Sequence, residues 1–181
     1  MCAFAQDYSA DAKGMTDEAY SVISAYLRGQ LAGKNGVDDI RVGESGSVLA
    51  PETKRWKTPQ LGADERIWMK RELQGLQDQT LDSLEACSGT SFPFRSQLSL
   101  PVAYQVASLE EISSIEKLYA KYPKARGYVQ FSCVGINTSK TQALFFVERN
   151  MCHCAVGKFV MLEKNNSGEW EIKHEMLRWI G

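Results

Sequence analysis

Residues 127–179 divide into four apolar-rich stretches of strand length, each bounded by turn residues. The first covers 128–136, and Asn137-Thr138-Ser139-Lys140 reads as a turn before the second, 142–148. A cysteine-containing link over 150–157 leads to the third, 158–164. Asn165-Asn166-Ser167-Gly168 is a second turn, before a last stretch at 169–174. Links this short join antiparallel neighbours, because a parallel return needs a crossover of about a dozen residues. The pattern therefore predicts an antiparallel meander at the C-terminal end, with helices from the N-terminal part covering one face.

The N-terminal half carries the helical period. Ala19, Val22, Ile23, Tyr26, Leu27 and Leu31 recur at helical spacing behind Thr16, an N-cap residue, with Gly33 as a stop. Ile67, Trp68, Leu73, Leu76, Thr80, Leu84 and Cys87 predict one longer helix from Asp64, with a kink at Gly75. Short strands are expected at 40–42 and 47–49, and a loop at 51–59. Residues 97–104 alternate as a strand, and Pro101 places it at a sheet edge, since proline cannot donate to the ladder. Ser108 and Glu111 form a capping box ahead of Ile112, Ile115, Leu118, Tyr119 and Tyr122, and Pro123 ends that helix.

The chain reads as one α+β domain over 16–181 behind a loose leader over 1–15. Its 181 residues, 44% of them apolar, suffice for a core without staples. A net charge of -1, with both signs interspersed, lacks the basic footprint that nucleic-acid binding requires. No apolar run is long enough to span a bilayer. Ala3-Phe4-Ala5 has the small-x-small spacing of a signal-peptide cleavage site and would leave Gln6 as the mature start. The expectation is a periplasmic or secreted protein, or a cytoplasmic one if residues 2–6 are no signal remnant. In an oxidising compartment Cys87, Cys133, Cys152 and Cys154 are disulfide candidates with three connectivities, and Cys152 or Cys154 is expected to pair with Cys87 or Cys133. In a reducing one they are free thiols.

From Tyr119 onward the chain resembles a set of uncharacterised bacterial exported proteins. The residues that carry the resemblance are Tyr119, Lys121-Tyr122-Pro123, Gly127, Ser132-Cys133-Val134-Gly135-Ile136-Asn137 and Gln142-Ala143-Leu144. They continue through the small-residue link at 152–157 to Leu162-Glu163-Lys164, Gly168, Trp170 and Trp179. Cys133 stands where the pattern usually has Arg. The resemblance implies export and an α+β fold. It supplies no catalytic residue.

Candidate chemistry is sparse. Cys152-His153-Cys154 holds zinc-ligand types, but zinc sites usually space cysteines two to four apart, so no metal and no cofactor is expected. A nucleophile pair of Cys133 or Cys154 with His174 as base is conceivable, although His174 sits in an alternating charged row. Trp170, Trp179 and His174 are the candidate lining of a ligand pocket. Glu163, Glu169, Glu171, Glu175, Lys158, Lys164 and Lys173 read as a solvated sheet face or a docking surface for a protein partner. Phosphate loops, nucleophile elbows and His-Glu-x-x-His helices are absent from the sequence.

These readings converge on an α+β fold with N-terminal helices on a curved antiparallel sheet, in a cone-shaped, cystatin-like or nuclear-transport-factor-like arrangement. The function expected is a non-enzymatic binding or interaction protein of the bacterial envelope, with an inhibitor or immunity-type protein as one version. The alternative is a small hydrolase or isomerase working on the concave face of the sheet. The oligomeric state is open.

Overall fold

The computed structural model describes residues 15–31, 47–49, 62–92, 98–100, 104–123, 125, 127–151 and 154–181. The leader, the strand expected at 40–42, the loop at 51–59 and Pro101 lie outside them.

The first helix, α1 (Asp17–Leu31), starts where the sequence places it. Thr16 Oγ1 accepts the Ala19 N–H at 3.2 Å, satisfying one of the donors that a helix start leaves unpaired. β1 (Ser47–Leu49) follows. The single helix expected from Asp64 is two helices, α2 (Ala63–Glu72) and α3 (Asp78–Ser88). Between them Gly75 adopts φ +85°, a left-handed conformation that stops helix propagation.

β2 (Tyr104–Val106) covers only the end of the strand expected at 97–104; residues 98–100 are irregular. Ser108 and Glu111 do exchange the two capping-box bonds, at 2.8 and 3.2 Å. The box closes a turn, however, and α4 (Ile115–Lys121) begins later, capped by Ser114. Then come β3 (Gly127–Phe131), β4 (Gly135–Ile136), β5 (Gln142–Met151), β6 (Ala155–Lys164) and β7 (Trp170–Ile180). The β5–β6 link is shorter than expected, because β5 runs on past 148 and β6 starts before 158, whereas the β6–β7 turn stays close to the expected 165–168 and β7 runs on past 174.

Among the described residues the sheet has seven strands in the order β2-β1-β3-β5-β6-β7, with β4 beside β5. The five from β3 to β7 are antiparallel throughout. β1 lies parallel to both β2 and β3, which makes the sheet mixed at that edge. The stretch expected as one strand over 128–136 is interrupted at 132–134. There Ser132 Oγ accepts the Phe146 N–H at 2.8 Å and donates to the Cys133 carbonyl at 2.7 Å, so the backbone turns away without leaving polar groups unpaired.

Helices cover both faces of the sheet, not one. α1 packs Ile23, Tyr26 and Leu27 with Phe131, Phe145, Val147, Val160 and Leu162. On the other face Met69, Leu73, Leu81 and Leu84 of the α2–α3 unit pack with Leu144, Phe146, Phe159 and Met161. Neighbours in β5 and β6 thus alternate between two cores, and both must be apolar. A smaller cluster of Ala107, Leu118 and Ala125 lies around α4.

Candidate functional site

β7 runs beside α1 at the edge of the sheet, and the two are forced close at one point. A Cβ on Gly29 would lie 3.0 Å from Ile172 Cδ1, so only a glycine lets the helix approach this far without displacing that side chain. Beside this contact a groove of about 760 Å³ opens between the helix and the β6–β7 turn. Ser21, Ala25 and Gly29 line its helix side, one helical turn apart. Glu18 and Arg28 flank them, and Lys164, Trp170 and Ile172 form the sheet side.

The groove's least exposed carboxylate, Glu18, is already engaged. Glu18 Oε1 accepts the Trp170 indole N–H at 2.9 Å and pairs with Lys164 Nζ at 2.8 Å. Lys164 also lies 4.9 Å over the Trp170 ring, a cation–π contact. The Lys164 hydrogen bond holds the Glu18 carboxyl below the usual carboxylate range; partial burial opposes this and the Trp170 bond adds to it. Glu18 is therefore a fixed anion at neutral pH, unsuited to deliver a proton. Arg28 donates to the Ser99 carbonyl at 2.9 Å and has no carboxylate partner among the described residues.

Of the three residues expected to line one pocket, only Trp170 lies in this groove. Ladder neighbours share a face, so His174 opposite Met161 points to the α2–α3 side, as does Trp179 opposite Gly157. Trp179 packs against Gly157, where an added Cβ would meet both its indole and Phe146 Cζ at 2.5 Å. Sequence alternation puts His174 on Trp170's face. The irregularity between Met161 and Leu162 shifts β7 by one residue and reverses it.

The cysteine expectations change as well. Cys87 and Cys133 are bonded to each other, so neither pairs with Cys154, which is a free, half-buried thiol. A disulfide sulfur is no nucleophile, which removes Cys133 from the proposed pair with His174. Cys154 is no substitute: His174 pairs with Met161, seven residues along the ladder, or about 23 Å at the usual strand rise. Cys152 and His153 lie outside the described residues, and among those described no group of three or more His, Cys, Asp or Glu side chains is placed to hold a metal.

Several charges read as a solvated face are paired inward. Lys158 meets Glu175 at 3.1 Å, and Gln30 of α1 donates to the same carboxylate at 3.0 Å. Glu163 accepts from Gln142 at 2.9 Å. Glu169 and Lys173 remain exposed. Beyond the groove β7 exposes Leu177, Trp179 and Ile180, at 52%, 37% and 66%, which makes the end of this edge strand apolar. Among the described residues no helix is long and apolar enough to cross a membrane.

No protein-family model matches the chain, and no curated protein or solved structure does. Sequence reading missed Glu18, Ser21 and Arg28. The signal for them was the small-residue i, i+4, i+8 row Ser21, Ala25, Gly29 on an amphipathic helix.

Proposed function

We propose that this protein is an exported, non-enzymatic binding protein of the bacterial envelope, and that the groove between α1 and β7 is where its partner docks. The observation that carries the reading is the state of Glu18. The groove's least exposed carboxylate is tied to Lys164 and Trp170 and kept ionised. A hydrolase or isomerase working here would instead need an acid or base with its pKa brought near the working pH. Export is supported by the cleavage-like Ala3-Phe4-Ala5, by the resemblance to exported proteins and by the Cys87–Cys133 bond, which persists in an oxidising compartment.

Photo-crosslinking in cells tests this. A photoreactive residue in place of the exposed Glu169, on the rim of the groove, is expected to give one discrete adduct in the periplasmic or secreted fraction. The adduct should vanish when Ser21→Trp fills the groove, and the same crosslinker at the exposed Ala86 of α3 should not form it. An adduct indifferent to Ser21→Trp places the docking surface elsewhere. The exposed Leu177, Trp179 and Ile180 favour one such second reading, a partner on the far end of β7, which a crosslinker at Leu177 would capture.

A further inference from the structure

The groove borders an edge strand, and the two features together specify a ligand. β7 has 11 residues and, among the described residues, pairs only with β6, so no described strand lies beside the other side of its backbone. Most of that edge is protected. Register shifts fall between Met161 and Leu162 and again between Gly157 and Lys158, each leaving one β7 residue out of the ladder, at Lys173 and Arg178. Irregularities of this kind are how sheets discourage strand addition. The stretch ahead of the first one, 170–172, is regular, and it is the stretch that lines the groove. The open edge is left where α1 provides a second wall.

The second wall is charged at its far end. Arg28 uses its Nη1 for the Ser99 carbonyl, and the rest of its exposed guanidinium fork meets no carboxylate among the described residues. Along α1, Glu18 and Arg28 are separated by about 15 Å at the helical rise. An extended chain covers that length in about four to five residues. At the turn end the exposed Glu169 disfavours a second anion and favours a basic group, while Glu18 is neutralised by Lys164.

We infer that the groove takes a short extended peptide segment that adds to the edge of β7 at 170–172, with one carboxylate on Arg28 and a basic residue toward Glu169. This rests on the groove being the docking site, and it names the chemistry of the partner. Backbone pairing supplies the affinity and Arg28 fixes the direction.

The test is selection from a random heptapeptide display library with the intact protein as bait. Enriched peptides are expected to carry one carboxylate and one basic residue about four positions apart. Changing that carboxylate to its amide is expected to weaken binding about tenfold in the wild type and hardly at all in Arg28→Gln, the coupling a direct pair produces. Replacing a central peptide residue by proline, which removes a backbone donor, should weaken it further. Failure to enrich any peptide overturns the inference, as does an affinity indifferent to Arg28→Gln. Ser21→Trp, at an exposed position, is a second variant that should abolish binding without disturbing the fold. If the in-cell adduct at Glu169 forms while the library yields nothing, the groove is a docking site for something other than a strand, and only the peptide reading falls.

Discussion

The two faces of the sheet meet their helices in opposite ways. On one, α3 lies so close to β4 that a Cβ on Gly135 would stand 2.5 Å from the Leu84 nitrogen and 2.6 Å from the Thr80 carbonyl. Gln142 and Asn137 carry a dense hydrogen-bond network at this joint. Gln142 Oε1 accepts from the Gln77 N–H and the Thr80 hydroxyl, and its amide donates to the Gly75 carbonyl and Glu163. Asn137 Oδ1 takes the Thr141 and Gln142 N–H groups, its amide donates to Gln77 and Thr141, and the Ile136 N–H bonds Ser83. The Cys87–Cys133 bond closes the same joint. On the other face a groove opens between α1 and the β6–β7 turn, and Arg28 beside it has no carboxylate partner among the described residues. A saturated polar cluster in a closed joint fixes a fold; an unsaturated one in an open groove is available to a partner.

Gly135, Asn137 and Gln142, three residues of the C-terminal sequence pattern read as an expectation above, all serve the α3–β4–β5 joint. Of the groove, the pattern contains Lys164, Gly168 and Trp170 but nothing on α1.

The comparison breaks most severely at Gly135. Gly135→Ala pushes a methyl into helix backbone that cannot swing aside, so a loss of about 3 kcal/mol, the upper end of the usual overpacking cost, is expected in urea denaturation. A loss below about 1 kcal/mol would show that α3 and β4 are not in close contact. Next is the disulfide. Removing it as Cys87→Ala/Cys133→Ala, or reducing the wild type, should cost about 2–4 kcal/mol, because the 46-residue separation restrains the unfolded chain strongly. Reductant should have no effect on the double variant, and a response there would assign the wrong cysteines. Gln142→Ala strands the partners of four hydrogen bonds and should cost about 1–3 kcal/mol, again by denaturation, with groove binding retained.

The groove should respond to pH more than to denaturant. The folded state lowers the Glu18 pKa, so its stabilising effect is complete above the ordinary glutamate range. It is lost as pH falls from that range through the lower folded value. Glu18→Gln is thus expected to flatten the acid limb of the stability–pH profile and to leave stability near pH 7 within about 1 kcal/mol, the scale of a partly exposed ion pair. An unchanged acid limb would mean that Lys164 and Trp170 do not hold the carboxylate in solution.

Much of the meander was readable because apolar stretches and turn residues are local signals. Tyr128, Phe145, Val160 and Trp170 all fall in strands where the pattern puts them. The second covered face was also written in the chain. Leu144-Phe145-Phe146-Val147 and Phe159-Val160-Met161-Leu162 are unbroken apolar runs, and a strand with one wet face would alternate. The helix break at Gly75 was visible as a weak point, though a left-handed turn is decided by the packing on either side of it. The disulfide partners and the groove were not legible. Glu18 and Trp170 lie 152 positions apart, and only the packing of α1 against β7 brings them together. The shift at Lys173 that sends His174 to the other face arises in the ladder and has no sequence marker.

The most direct test of the division between a folding joint and a binding groove is a paired measurement on Ser21→Trp: its unfolding free energy, and the in-cell adduct from a photoreactive residue at 169. The account predicts stability within about 0.5 kcal/mol of the wild type, as for an exposed site, together with loss of the adduct. A stable variant that still forms the adduct would contradict it.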